Sequence, residues 1–118
     1  ERSVMMQNYQ IDDNYIDEEL IKKWRRDIVK VIPVIKINSE GENTLGHTAP
    51  YPEDIPEMAI TFFSGVGDVV LDIFMGSGTT GVVAKKLKRN YIGFEINASY
   101  LKLSEERINN CNTINEIT

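Results

Sequence analysis

The stretch that most constrains the fold is LDIFMGSGTTG, residues 71–81, in which three of the last six residues are glycine. The apolar run VVL at residues 69–71 leads into it, and the apolar triplet VVA follows it. A short apolar run bounded by turn residues is typical of a strand buried on both faces of a parallel sheet. Residues 79–89, TTGVVAKKLKR, are predicted to form a helix. The glycines therefore lie in a predicted turn between a strand and a helix.

Two more elements are predicted after this helix. Residues 91–95, YIGFE, have the pattern of a second buried strand, and residues 97–110 that of a final helix capped by Asn97. Ser104 interrupts the apolar stripe of the final helix. Strand, glycine turn, helix, strand and helix together form a βαβα unit with a right-handed crossover. The sequence thus predicts an α/β fold with parallel strands and flanking helices.

The part of the chain before the glycine turn is less regular. Its predicted elements are a loop or short edge strand at residues 1–14, an amphipathic helix at 17–31, an edge strand at 31–37, a polar connector at 38–46 and a helix at 57–63. Asp17 is placed to cap the first helix. Pro33 has no N–H group, which restricts its segment to a sheet edge or a strand start.

The glycine turn carries a recognisable spacing. Gly76, Gly78 and Gly81 fit G-x-G-x-x-G, and Glu95 ends the next predicted strand. The first glycine permits a tight turn, the second lets a ligand approach bare backbone, and the third lets the helix pack closely on the strand. A carboxylate at the end of the second strand can accept hydrogen bonds from both hydroxyls of a ribose. This combination predicts a cofactor that contains a nucleoside.

Other glycine-rich sites can be tested by spacing. A P-loop needs Lys and then Ser or Thr directly after Gly81, where two valines stand, and a nucleophile elbow needs glycine at the position of Met75. A dinucleotide site is compatible with the spacing of the glycines. However, Asp72 would repel a pyrophosphate and is well placed to pair with an ammonium group. S-adenosylmethionine has an amino group, a sulfonium charge, a ribose and no phosphate. These residues favour it over NAD or FAD, which remain the alternative.

Composition argues against several other classes. The net charge of −5 argues against DNA binding by bulk electrostatics, so the basic clusters at residues 22–30 and 85–89 are interpreted as solvated helix faces, with local nucleic-acid contact as the alternative. No apolar stretch approaches the roughly 18 residues of a membrane span. One cysteine, Cys111, favours a reducing, cytoplasmic setting, and with only His47 it cannot form a zinc site. We expect neither a metal centre nor a membrane role.

The segments DIFMGSGTT at residues 72–80 and RNYIGFEI at 89–96 resemble the cofactor-binding motifs of the amino-group DNA methyltransferases. These enzymes methylate N6 of adenine or N4 of cytosine, some of them in restriction-modification. GHTAPYPE at residues 46–53 resembles the motif that precedes the glycine loop in the permuted class of this family. One departure is Ile73, where the family usually has proline. The resemblance implies a partial Rossmann-like S-adenosylmethionine-dependent methyltransferase fold.

The resemblance also implies which residues bind the cofactor. They are Asp72, Phe74, Gly76, Ser77, Gly78, Thr79, Thr80, Glu95, Ile96, His47, Thr48 and Ala49. Asp72 and the backbone of residues 76–78 would hold the methionine moiety, Glu95 the ribose and Ile96 the adenine face, with residues 47–49 near the cofactor carboxylate. Phe74 would belong partly to the core and partly to the pocket wall. The alternatives are an exposed strand-end carboxylate at Glu95, a capping acid at Asp72 and a packed loop histidine at His47.

The family presents its target base with Asp, Asn or Ser followed by Pro-Pro and an aromatic residue, and this chain contains no such tetrapeptide. In the permuted class that motif lies N-terminal to the cofactor motifs. Residues 1–45 are therefore expected to be the end of a target-recognition region and a linker, with basic residues 22–26 near the phosphate backbone, and residues 46–118 the cofactor-binding part. DNA would be contacted through the remainder of the enzyme, an N-terminal segment or a separate chain. The isolated chain is expected to be inactive, with no catalytic residue; a non-catalytic cofactor-binding subunit is a further alternative.

Overall fold

The computed structural model describes residues 2–6, 10, 17–25 and 52–113, with only the backbone described for 2–6. In chain order the elements are β1 (Arg2–Met6), α1 (Glu18–Trp24), α2 (Asp54–Phe63), β2 (Val69–Asp72), α3 (Thr79–Lys86), β3 (Asn90–Glu95) and α4 (Ala98–Asn110). The order from β2 to α4 confirms the predicted βαβα unit. The edge strand predicted at 31–37 and the connector predicted at 38–46 lie outside the described residues.

The described strands form one mixed sheet in the order β1-β3-β2. β2 and β3 are parallel, with Asp72 opposite Gly93, as predicted. β1 pairs antiparallel with β3, with Arg2 opposite Glu95. Of the two possibilities predicted for residues 1–14, a loop or a short edge strand, residues 2–6 thus form the strand, at the edge of the described sheet. Because parallel strands end at the same edge of a sheet, Asp72 and Glu95 both come to that edge.

The hydrophobic core lies between the sheet and the helices α2, α3 and α4. Its members are Ile60, Met75, Val82, Val83, Ala84, Leu87, Tyr91, Leu101 and Ile108. Val70 packs against this core, whereas Val69 and Leu71 are each 60% exposed. The prediction that this strand is buried on both faces is therefore wrong for the described residues, because none of their elements buries the second face.

Three predicted helix boundaries differ from the structure. α2 begins at Asp54 rather than at residue 57, because a proline in the first turn, Pro56, costs no intrahelical hydrogen bond. α3 ends at Lys86 rather than at residue 89, since Lys88 takes a left-handed φ of 59° that stops the helix. α1 ends at Trp24, and residues 26–31 of the longer predicted helix lie outside the described residues.

A polar contact holds α1 against α2. The Nε1 atom of Trp24, a residue that is only 4% exposed, donates a 2.7 Å hydrogen bond to Oε2 of Glu57. The Nζ atom of Lys23 donates to the same oxygen at 2.7 Å and to Oδ1 of Asp54 at 3.3 Å. At the start of α1, Asp17 accepts a hydrogen bond from the N–H group of Leu20, which confirms the predicted cap. The described part of α1 is thus fixed by side chains of α2.

The ammonium group of Lys23 is therefore engaged within the protein. Burial alone lowers its pKa, but the hydrogen bonds and charges of Glu57 and Asp54 outweigh burial and raise the pKa above the usual lysine value. Because the folded state binds this proton more tightly, the contribution to stability is complete below the unfolded pKa of 10.5. It is lost as the pH rises through the folded-state pKa.

Replacing Glu57 with alanine is expected to lower the free energy of unfolding by about 1–2 kcal/mol, because Trp24 loses the acceptor of its partly buried N–H group. Since Trp24 is the only tryptophan, its fluorescence reports on this contact directly, and we expect a red shift of the emission maximum. Glu19→Ala removes an exposed carboxylate from an exposed pair and should leave both measurements unchanged. Equal effects of the two substitutions would contradict this prediction.

Candidate functional site

The glycine loop, defined here as residues 73–78, joins β2 to α3. Gly76 and Gly78 have φ angles of 54° and 82°, in the left-handed region that glycine enters without strain. The N–H group of Met75 donates to the carbonyl of Phe94 at 2.9 Å, and the N–H group of Gly78 donates to the carbonyl of Met75 at 2.9 Å. Met75 is buried at 3% exposure. The predicted tight turn is therefore present and is anchored on β3.

The carboxylate of Glu95 joins the glycine loop to the end of β3. Its Oε2 atom accepts a hydrogen bond from the N–H group of Gly76 at 2.8 Å, and Oε1 accepts from the N–H group of Asn97 at 3.0 Å. Each carboxylate oxygen has two lone pairs, so each can accept a second hydrogen bond. Glu95 is thus held in position by two backbone amides and retains capacity to accept from a ligand.

Asp72 ends β2 beside the loop. Its Oδ1 atom accepts a 3.0 Å hydrogen bond from the N–H group of Phe74, which forms an Asx turn. Among the described residues Oδ2 of Asp72 has no hydrogen-bond partner. One carboxylate oxygen shapes the turn, and the other is available at the edge of the sheet where Glu95 also lies.

The hydroxyl groups of Ser77 and Thr79 face α4. Nη1 of Arg107 lies 2.8 Å from Oγ of Ser77, 2.7 Å from the Ser77 carbonyl oxygen and 3.3 Å from Oγ1 of Thr79. Both residues are only 3% exposed. Thr80, the next residue, lines a mainly apolar cavity of about 500 Å³ between α2 and β2. The hydroxyl groups of Ser77 and Thr79 are therefore engaged by Arg107 inside the protein.

Sequence reasoning missed Arg107. Its guanidinium group reaches a loop about 30 residues away along the chain. The one hint in the sequence is the polar Ser104 on the inner stripe of the same helix, but that hint identifies no partner. The contact depends on how α4 packs, which local periodicity does not specify.

The roles predicted for Gly78 and Gly81 can be compared with how closely other residues pack against these two glycines. A Cβ atom on Gly81 would lie 2.6 Å from the Tyr91 ring and from Cδ1 of Ile108, which confirms that this glycine allows close packing of helix and strand. A Cβ atom on Gly78 would lie 2.7 Å from Cβ of Ser104. The side of Gly78 on which a Cβ atom would stand is therefore filled by α4, so this glycine also serves the packing of the loop against that helix. Ser104, fully buried, is the small residue that this contact requires.

Phe74 and Ile96 are exposed at the same edge of the sheet. Their exposed fractions are 85% and 86%. The prediction that Phe74 belongs partly to the core is wrong for the described residues, because its side chain is exposed and does not pack against their core. Ile96 directly follows Glu95. The edge thus combines two carboxylates with two apolar side chains. The predicted site residues His47, Thr48 and Ala49 lie outside the described residues.

The second basic cluster is largely used for internal contacts. Nζ of Lys85 donates to two carbonyl groups at the end of α4, and Lys86 pairs with the carboxylate of Glu53. Arg89 is only 7% exposed and donates to the carbonyl of Ser64 at 2.7 Å. The interpretation of this cluster as a solvated helix face is therefore wrong for Arg89, which fastens the end of α2 to the start of β3.

Metal-ligand clusters and membrane-spanning helices are both absent from the described ranges. No three His, Cys, Asp or Glu side chains there come together as metal ligands. No described helix has the length and apolar character required to cross a bilayer.

Comparison with known proteins places this geometry in a class. A putative DNA modification methylase from Thermus thermophilus, crystallised with S-adenosyl-L-methionine, superposes with a TM-score of 0.60 and 33% identity over 79% of this chain and 33% of its own. The M1.HpyAVI complex with the same cofactor superposes with a TM-score of 0.51 and 34% identity, over 70% of this chain and 40% of its own. The fold is thus the predicted partial Rossmann-like fold of S-adenosylmethionine-dependent methyltransferases.

The family follows from the sequence comparisons. The profile of the N6/N4 DNA methylase family matches residues 4–106, so the chain belongs to that family. M.BslI, a type II beta methyltransferase of Bacillus sp. (strain NEB-606), is 47% identical over 71% of this chain and 9% of its own length. M.BglI, a type II methyltransferase of Bacillus subtilis, is 36% identical over 83% of this chain and 26% of its own length. The chain therefore spans only a fraction of the relatives that it matches.

Proposed function

We propose that residues 46–118 form the S-adenosylmethionine-binding part of a DNA methyltransferase acting on the exocyclic amine of adenine or cytosine. Residues 1–45 belong, in this proposal, to the end of a target-recognition region of the permuted class. The observation that carries the proposal is the pair of carboxylates at one sheet edge. Asp72 has an oxygen available there, and Glu95 is fixed by the Gly76 amide.

The chemistry of this edge fits the methyl donor. S-adenosylmethionine offers an ammonium group and two ribose hydroxyls, which are donors that carboxylates accept. A pyrophosphate would place further negative charge beside Asp72 and Glu95, which is unfavourable. The exposed side chains of Phe74 and Ile96 suit the faces of an adenine ring. This donor and acceptor set supports S-adenosylmethionine over NAD or FAD.

The roles proposed for the individual residues follow from their chemistry. Asp72 would pair with the amino group, Glu95 would accept from the ribose hydroxyls, and Phe74 and Ile96 would contact the adenine. The remaining proposed binding residues, through backbone in the loop or near the cofactor carboxylate, are Gly76, Ser77, Gly78, Thr79, Thr80, His47, Thr48 and Ala49.

When bound, the cofactor supplies a methyl group activated by the sulfonium charge. The residues of this chain contribute binding and orientation, since carboxylates at two points restrict how the ligand can lie. The acceptor amine must be presented by a base taken out of the helix, and the Asp, Asn or Ser followed by Pro-Pro and an aromatic residue that the family uses for this does not occur in the 118 residues. DNA contact and the catalytic motif are therefore assigned to another segment or chain, and the 118 residues alone are expected not to methylate DNA.

Isothermal titration calorimetry on the 118-residue chain tests the proposal. We expect S-adenosylmethionine to bind at least about tenfold more tightly than NAD. Asp72→Asn keeps the acceptor of the Asx turn but removes the charge, and should raise the Kd for S-adenosylmethionine about tenfold, the cost of a charge-assisted hydrogen bond. Glu106→Gln, a matched loss of charge at an exposed position of α4, should leave the Kd unchanged.

Other results of the titration would each contradict a different part of the proposal. Tighter binding of NAD would favour the oxidoreductase alternative. Failure to bind either ligand would contradict a cofactor-binding part of any kind. An unchanged Kd in Asp72→Asn would remove Asp72 from the proposed site.

A further inference from the structure

We propose that Arg107 is a positioning residue, which fixes one peptide group of the glycine loop and thereby sets the affinity for the methionine end of the cofactor. The inference rests on the proposed function for its ligand. The observation behind it is a contact between Arg107 of α4 and the glycine loop, in which neither Asp72 nor Glu95 takes part.

The peptide group between Ser77 and Gly78 is fixed at both ends. Its carbonyl oxygen lies 2.7 Å from Nη1 of Arg107, and its N–H group donates to the carbonyl of Met75 at 2.9 Å. In a trans peptide the C=O and N–H groups point in opposite directions, so these two bonds together define the plane of the peptide. Gly78 follows this peptide and has no Cβ atom. Without the two hydrogen bonds, the backbone there could therefore rotate more freely than beside any other type of residue.

The same guanidinium group also holds the side chains beside that peptide. Nη1 of Arg107 lies within hydrogen-bond distance of the hydroxyls of Ser77 and Thr79, at 2.8 and 3.3 Å. One cationic group therefore spans the end of the loop and the first residue of α3. The planar guanidinium is suited to several acceptors at once, whereas a lysine ammonium group is a compact charge on a shorter side chain.

The position of Arg107 on its helix makes this contact part of a packed face. Ser104 lies three residues earlier and occupies the space beside Gly78, and Ile108 is 3.4 Å from the position of a Gly78 Cβ. Residues three and four apart lie on one side of a helix. The loop is therefore set against a surface of α4, and Arg107 supplies the polar part of that surface.

Loss of Arg107 should act on one end of the ligand only. The Ser77–Gly78 peptide is bonded within the protein at both ends and acts by positioning the glycine loop, which is proposed to hold the methionine moiety, whereas Glu95, Phe74 and Ile96 are proposed to hold the adenosine. S-adenosylmethionine and 5′-methylthioadenosine share the adenosine, and only the former carries the amino acid. The two ligands thus separate a positioning effect on the loop from a general loss of structure.

The test is calorimetric binding of both ligands to the 118-residue chain and its R107Q variant. We expect the Kd for S-adenosylmethionine to rise about tenfold and that for 5′-methylthioadenosine to change less than about twofold. R107K should recover part of the lost affinity. K102Q removes one positive charge from an exposed position of the same helix and should bind both ligands as the wild type does.

Amide hydrogen exchange of the ligand-free chain gives a second readout. We expect faster exchange at Gly78 in R107Q and no change in K102Q, because the loop loses its contact with α4. An unchanged Kd for S-adenosylmethionine in R107Q, or an equal loss of affinity for both ligands, would overturn the inference while leaving the proposed function intact. If the wild type fails to bind S-adenosylmethionine, the proposed function fails; exchange at Gly78 then decides whether Arg107 fixes the loop.

Discussion

Replacing Gly78 with alanine is expected to lower the free energy of unfolding by about 3 kcal/mol, from two costs that add. An L-residue at a φ of 82° costs about 1–2 kcal/mol, and forcing a methyl group into a filled space costs about 1–3 kcal/mol. The added Cβ atom would lie 2.7 Å from Cβ and 3.0 Å from Cα of Ser104. The second atom belongs to the helix backbone, so no rotamer change relieves the contact. Urea denaturation followed by Trp24 fluorescence and circular dichroism measures the loss.

Gly65→Ala provides the matched control for this measurement. A Cβ atom there would lie 3.6 Å from Oδ2 of Asp68, which is an ordinary van der Waals distance, and Gly65 has no positive φ. Its effect should stay within about 0.5 kcal/mol, as for a substitution that disturbs no packed contact. Similar losses for the two glycines would show that α4 does not confine the loop at Gly78.

Replacing Glu95 with alanine is expected to raise the Kd for S-adenosylmethionine about 100-fold. The substitution removes the proposed acceptor of the ribose hydroxyls and also frees the N–H groups of Gly76 and Asn97. Hydrogen bonds to a charged group contribute about 1.5–3 kcal/mol each, and about 2.7 kcal/mol corresponds to 100-fold in Kd. Calorimetry with S-adenosylmethionine and with adenosine measures the change, and both ligands should weaken together because both contain the ribose.

Glu105→Ala is the control for Glu95, since it removes a carboxylate from the exposed side of α4. Its Kd for both ligands should equal that of the wild type. If Glu95→Ala weakened S-adenosylmethionine but left adenosine unaffected, the carboxylate would serve the methionine end and its proposed role would be wrong. Far-UV circular dichroism of the variant checks that the fold is retained.

The elements from β2 to α4 could be predicted from the sequence because each has a strong local signal. An apolar run precedes the glycine turn, a second apolar run leads to Glu95, and Asn97 caps the last helix by accepting from the N–H groups of Ser99 and Tyr100. The boundaries were less predictable. The left-handed conformation of Lys88 ends α3 early, and nothing about a lysine signals it in advance. The end of a helix can thus depend on the backbone conformation of a single residue.

The contacts that shape the candidate site were not predictable in the same way. Carboxylates at the ends of β2 and β3 follow from the topology, but the bond from Gly76 to Glu95 joins residues 19 positions apart, and the bond from Arg107 to Ser77 joins residues 30 apart. Whether β2 is covered on both faces likewise depends on neighbours and not on its own apolar residues. Tertiary packing therefore decides these features, while periodicity and turn chemistry decide the elements.

The packing of Gly78 against Ser104 restricts changes in the length of α4. Each residue added to a helix turns the residues after it by about 100°, so a single insertion early in α4 would swing Ser104, Arg107 and Ile108 away from the loop together. Asn97 fixes where the helix begins by accepting from the N–H groups of Ser99 and Tyr100, so the number of residues from Asn97 to Ser104 sets which side of α4 faces Gly78. Substitutions on the outer side of α4 are expected to cost little stability, whereas a change in length between Asn97 and Ser104 would separate the loop from its packing surface.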